Sequence, residues 1–215
     1  MTEYAHGGSQ SIATLNLPGQ EAQGCSVDSR TENLAVVFKG YNADVAIFPN
    51  EQGTPTLYGT GIDSSYCGFD DKGNLYVDGC GSGTEYVIAE LPAGSGTFAT
   101  YRLDNSVGTP GQVQWDGKYI TYESLGVPSI ISRLRISGSK ANVVDTVTLD
   151  DIRHRQLQSW IYGGNIIVPY NDRGRRQNIV GVWKYPKGGK TVKSIRKFDS
   201  FKKIDIWFQG VTLSI

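Results

Sequence analysis

Carboxylates recur in five short connecting segments of this 215-residue chain: Glu21 in 18–24, Asp63 in 60–66, Asp104 in 104–112, Asp150 and Asp151 in 150–156, and Asp199 and Asp205 in 199–205. If a fold gathers these segments at one mouth, Glu21, Asp63, Asp104, Asp151 and Asp205 become candidate ligands for a hard cation such as calcium, which takes about six to eight oxygen ligands. Asp in such segments also bonds its own backbone and closes turns without any ion. Both readings stay open at this level.

A second set of side chains suits recognition rather than catalysis. Arg153, His154 and Arg155, with Arg173, Arg175 and Arg176 and then Lys202 and Lys203, concentrate donors suited to phosphate or carboxylate. Tyr41, Asn42 and Asp44, the segments 78–85 and 123–128, and 170–176 add amide, acidic and aromatic groups in a second series of connections. With Tyr66, Trp115, Trp160 and Trp207 they can form a stacking and hydrogen-bonding surface for a sugar or a peptide, although large aromatics equally fill a core. Asp63, Tyr66, Asp104, Arg153, Arg155, Tyr170 and Arg173 are the candidate ligand contacts.

The common catalytic signatures are absent. There is no G-x-S-x-G elbow, Walker loop or H-E-x-x-H segment, and the histidines are His6 and His154 alone. No catalytic residue is therefore assigned, although a carboxylate pair of the glycosidase kind is set by three-dimensional spacing and leaves no linear motif. GCGSG at 79–83 follows a strand without leading into a helix, so it reads as a flexible connection rather than a phosphate loop. Cys25, Cys67 and Cys80 lack zinc-site spacing and are expected to be buried free thiols, with a Cys67–Cys80 bridge as the alternative.

Charge totals cancel at 21 basic and 21 acidic side chains, which argues against a general nucleic-acid binder. The halves differ sharply. Residues 1–107 hold 4 basic and 13 acidic side chains and residues 108–215 hold 17 and 8, so a fold that keeps sequence neighbours together is expected to be polarised. Nucleic acid is thus a lesser candidate partner for the basic half. No stretch approaches the roughly 18 apolar residues of a membrane span, and MTEYAHGG lacks the basic and apolar regions of a secretory signal. A soluble chain is the expectation, with no compartment indicated.

The elements that must position these residues follow from internal repetition. One hairpin type recurs as CSVDSRTENLAVV, CGFDDKGNLYVDG, VQWDGKYITYE, SWIYGGNIIVPY and IWFQGVTLSI, and its turn glycines Gly73, Gly117, Gly164 and Gly210 lie 44, 47 and 46 residues apart. A second type, rich in Gly, Ser and Pro at its turn, alternates with it from His6, Pro49, Pro92, Ser137 and Pro186. A period of about 45 residues with four short strands is the signature of a β-propeller blade. The expected fold is an all-β propeller of about five four-stranded blades in one domain, 1–215. Its blades fall near 24–59, 66–103, 112–149 and 157–198, with a fifth assembled from 204–215 and 1–17 that seals the sheet edges. A fragment of a larger propeller would also begin and end inside a blade.

At Asp70-Asp71-Lys72-Gly73-Asn74-Leu75-Tyr76-Val77, and more loosely at 28–36, the chain resembles the NHL-repeat and gluconolactonase-type propeller superfamily. The blades near Val113 and Ser159 depart from that pattern in having shorter turns without the second acid. Repeated blades without a catalytic signature, together with the opposed charge halves, point to a non-enzymatic binding or scaffold propeller that uses its channel-mouth rim for a protein or small ligand. The blade resemblance with the five acid-bearing connections points to the alternative, a metal-dependent lactonase-like hydrolase, and repetition of blades admits a lectin-like sugar binder.

Overall fold

The structure, a computed structural model, describes residues 2–4, 9–17, 21–39, 43–83, 85–104, 107–124, 126, 128–150, 152, 158–172 and 177–199. Its regular elements are β-strands and one short 3-10 helix, Pro49–Glu51, and no α-helix occurs among the described residues. An antiparallel hairpin of β1 (Thr2–Tyr4) and β2 (Ser11–Thr14) comes first. It is followed by β3 (Ala22–Val27), β4 (Leu34–Phe38), β5 (Val45–Phe48) and β6 (Thr56–Tyr58), which pair in sequence order. The same up-and-down order holds in β7 (Asp63–Phe69), β8 (Leu75–Cys80), β9 (Tyr86–Leu91) and β10 (Ala99–Leu103). It holds again in β11 (Pro110–Trp115), β12 (Ile120–Ser124), β13 (Ser129–Ser137) and β14 (Lys140–Leu149). The last four are β15 (Trp160–Tyr162), β16 (Asn165–Asp172), β17 (Gln177–Lys184) and β18 (Lys193–Asp199).

The first turn in each of the first three meanders is built by one aspartate, whereas the β15–β16 turn is formed by Gly163 and Gly164. Asp70 Oδ1 accepts the Lys72 and Asn74 amides at 2.8 and 2.9 Å, while its Oδ2 accepts Asn74 Nδ2 at 2.8 Å. Asp116 Oδ1 accepts the Lys118 and Tyr119 amides at 2.9 and 2.8 Å, and Asp28 takes the Arg30 amide and the Thr31 hydroxyl. Turns of this tightness need a left-handed residue, supplied by Gly73 at φ +83° and Gly117 at φ +91°. At this end the aspartates are spent on architecture.

The described residues form two compact units, one up to Arg102 and the other from Leu103. In the first, β4 and the first five residues of β8 are buried along their length, which is why their sequences read as nearly unbroken apolar runs. Val36, Phe38, Ala46 and Phe48 pack with Leu15 on one side, while Ala35, Val37, Val45, Cys67, Leu75 and Val77 pack on the other. In the second unit Ile131, Val147, Leu149, Ile166, Val168 and Ile179 surround Trp183. Each such large apolar side chain contributes about 1.5–3 kcal/mol by leaving water.

Several expected connections are strand instead. The inner strands begin at Ala22, Asp63 and Pro110, because each carries a register irregularity near its start that lengthens it: between Ala22 and Gly24, Ser64 and Cys67, and Pro110 and Val113. Asp78, Glu123 and Tyr170, expected in connections, lie inside β8, β12 and β16 and are buried. Gly79, expected in a flexible connection, also lies in β8. Cys25 is exposed and Cys80 partly exposed, so Cys67 alone is a buried thiol. All three are free. Cys67 faces Val77 across the ladder whereas Cys80 faces Asp63, which separates the pair that a bridge would join. The strands expected in 204–215 lie outside the described residues.

Candidate binding rim in the first unit

The end of the first unit opposite the aspartate turns is assembled around Asp44. Its amide donates to the Tyr58 carbonyl at 3.0 Å, so the β4–β5 connection lies against the segment that follows β6. Asp44 Oδ1 accepts the Thr60 amide at 2.8 Å, and Oδ2 accepts both the Thr60 hydroxyl and, at 2.5 Å, the Ser64 hydroxyl. The two hydroxyls lie 2.7 Å apart, and both residues are buried. One carboxylate thereby fixes two connections and the start of β7. Beside it the Lys39 ammonium pairs with the exposed Asp63 carboxylate, while the Lys39 amide donates to the Glu21 carbonyl at 2.9 Å.

The irregularity in β7 sets Ser65 and Tyr66 out of the ladder, between the Ser64–Gly79 and Cys67–Val77 pairs. Asp78 stands opposite. Its Oδ1 accepts the Tyr66 amide at 2.8 Å, replacing the ladder bond that the irregularity removes. Asp78 is fully buried, its Oδ2 finds no partner among the described residues, and burial pushes its pKa well above the carboxylate range. Burial thus favours the neutral form of this carboxyl over the charged one. Gly24 on the adjoining strand lies so close that an added Cβ would meet Tyr66 Cα at 3.0 Å and Cδ1 at 3.1 Å. Tyr66 is therefore held from two sides, by a hydrogen bond to its backbone and by a side-chain-free neighbour.

The second unit places a buried acid at the matching position within itself. Glu123 stands opposite the Gly111–Gln112 irregularity of β11, between the Pro110–Ser124 and Val113–Tyr122 pairs, and is 1% exposed. Gln114, two residues on, uses both ends of its amide: Nε2 donates to the Ser159 carbonyl at 3.0 Å and Oε1 accepts the Ile161 amide at 2.9 Å.

Of the candidate residues, Asp63 and Tyr66 fall at this rim together with the Glu21 backbone, and the Glu21 side chain is exposed. Asp104 is exposed at the end of β10, with its carbonyl accepting the Val107 amide. Tyr170 belongs to the core of the second unit, its ring 6.1 Å from that of Trp183. Asp151, Arg153, Arg155, Arg173 and Asp205 lie outside the described residues. Among the described residues no group of three His, Cys, Asp or Glu side chains is arranged to hold a metal ion. Thr60, Ser64, the structural role of Asp78 and the burial of Glu123 are what residue types alone missed. The available signal was a lone acid inside an otherwise strand-like run, in LYVDGC and ITYES.

Solved structures place this architecture. A chain of the nidogen/laminin complex superposes with a TM-score of 0.63 over 95% of this chain and 72% of its own length, at 15% identity. The fold is β-propeller-like. Hydrazine synthase of Kuenenia stuttgartiensis matches at a TM-score of 0.57 and 12% identity, over 88% of this chain and 52% of its own. At such identities the likeness concerns the fold alone. No family model matches the chain, and no curated protein does. No helix among the described residues is long and apolar enough to cross a membrane.

Proposed function

We propose that this chain is a non-enzymatic binding propeller whose rim, at the Asp44–Thr60–Tyr66 end of the first unit, receives a small ligand or a protein partner. The observation that carries this reading is the β7 irregularity pinned by Asp78, because such irregularities re-aim side chains and end pairing next to functional sites. The opposite end supports it by contrast, since Asp28 and Asp70 there are consumed by their own turns. Ser64, the hydroxyl best placed beside a carboxylate, is buried and bonded to Asp44 and Thr60, which is a positioning arrangement.

The same reading takes each four-stranded meander as a blade and counts five, with the β1–β2 hairpin as half of a blade completed by residues 204–215. The test of the non-enzymatic reading is a turnover assay on a panel of lactones with calcium, magnesium or zinc added. No hydrolysis above background is expected. Metal-dependent turnover that is lost in Asp63→Asn would overturn it in favour of a lactonase-like enzyme.

A further inference from the structure

The second unit carries a basic surface that the rim reading does not use. Tyr119 is flanked by three cations: Arg133 lies 4.7 Å from its ring centroid, Lys118 5.2 Å and Arg135 5.7 Å. Arg133 is held in place, donating from Nε to Asp116 at 2.7 Å and from Nη1 to Asp145 at 3.0 Å. The Tyr185 hydroxyl donates to the same Asp116 oxygen at 2.6 Å, which ties this cluster to the β17–β18 connection. Next along the chain are Lys184, bonded to Asn165 at 3.1 Å, and then Lys187, Lys190 and Lys193. Lys118, Arg135, Lys184, Lys187, Lys190 and Lys193 are all exposed and outnumber the nearby acids: the Asp116 side chain is fully covered, the half-exposed Asp145 is engaged by Arg133, and Asp150 is exposed with its amide bonded to Gly189. Two exposed apolar side chains accompany them, Tyr162 at 46% and Val192 at 55%.

We propose that this surface docks on an anionic lipid bilayer. Five of the six exposed cations are lysines, which are strongly hydrated point charges suited to a diffuse field of negative charge rather than to forked recognition of single carboxylates. Lysine is also depleted from protein–protein interfaces, which disfavours an acidic protein partner. Three cations already stand within 6 Å of the Tyr119 ring centroid, and a base stacking there would compete with them, which disfavours single-stranded nucleic acid. Tyr162 and Val192 gain nothing against a phosphate backbone but enter the interfacial region of a bilayer favourably. Each lysine near an anionic leaflet adds to the attraction, and screening by salt removes it within a Debye length.

The experiment is flotation of the full chain with phosphatidylcholine vesicles, with and without phosphatidylserine, at low and high salt. Partitioning onto the phosphatidylserine vesicles alone is expected, with loss at high salt. The triple variant Lys184→Gln, Lys187→Gln, Lys190→Gln should partition about a hundredfold more weakly with unchanged thermal stability. Val192→Ser at an intact charge set should give a smaller but measurable loss. Absence of binding to the anionic vesicles, an unaffected triple variant, or tighter binding to poly-glutamate or duplex DNA than to those vesicles would each overturn the proposal.

Discussion

Asp78 accepts the backbone N–H of Tyr66 at 2.8 Å through one carboxyl oxygen and leaves the other buried without a partner among the described residues. That relationship joins the β7 irregularity to a group whose burial favours its neutral form. It gives the stability of the first unit a particular dependence on pH. Asp78 ionises in the unfolded chain near the ordinary carboxylate pKa, but in the folded chain only well above it. Between those two values the folded state holds the extra proton, so stability falls as pH rises, by at most about 1.4 kcal/mol per pH unit. Asp78→Asn keeps an acceptor for Tyr66 without a titrating group. The difference in unfolding free energy between the two proteins, followed by denaturant titration from acid to neutral pH, should shift in favour of Asp78→Asn as pH rises, and a difference that stays flat would remove the neutral carboxyl.

Removing the acceptor altogether is a separate matter. Asp78→Ala removes the carboxyl acceptor of the Tyr66 amide and should cost about 1–3 kcal/mol, more than Asp78→Asn at the same pH. Equal losses in the two variants would mean that the hydrogen bond does not hold the irregularity.

Close backbone approach predicts a contrast between two glycines a few residues apart. A Cβ on Gly79 would overlap the Asp63 carbonyl, whereas a Cβ on Gly83 meets nothing within 4 Å. Gly79→Ala should cost about 3 kcal/mol or more, through displaced backbone at the rim, and Gly83→Ala should lie within about 0.5 kcal/mol of the parent. Thermal or chemical unfolding of the pair decides this.

Closure through the N-terminal hairpin is tested by comparing a point change with a deletion. Leu15 is buried among Leu34, Val36, Phe38, Ala46 and Phe48, so Leu15→Ala should cost about 2–5 kcal/mol by itself. If residues 1–17 also complete a blade, deleting them should destabilise well beyond that value. A deletion no worse than Leu15→Ala would reduce the hairpin to a local cover on the first four-stranded meander.

The parts of the fold legible in the residues are those governed by local chemistry. Asp70 and Gly73 announce their turn because one aspartate must satisfy several amides and one residue must adopt positive φ, and Asp116 and Gly117 do the same. The all-β class and the alternating hairpins follow from such turns. The irregularities at Tyr66 and Gln112 were not legible, because an extra residue breaks the period of two that marks a strand and makes the strand's start look like loop. For the same reason Asp78 and Glu123 read as connection residues, although both lie inside strands. Tyr170 shared its residue type with surface aromatics, and only its packing against Trp183 places it in the core.

The most direct test of the binding reading is photo-crosslinking from two positions at opposite ends of the first unit. A benzoylphenylalanine is placed at Tyr66 in one protein and at Lys72, in the Asp70 turn, in the other, and each is irradiated in an extract of the source cells. The account predicts a discrete crosslinked species from position 66 that excess unlabelled parent protein competes away, and no competed species from position 72. Competed crosslinking from position 72 with none from position 66 would contradict it.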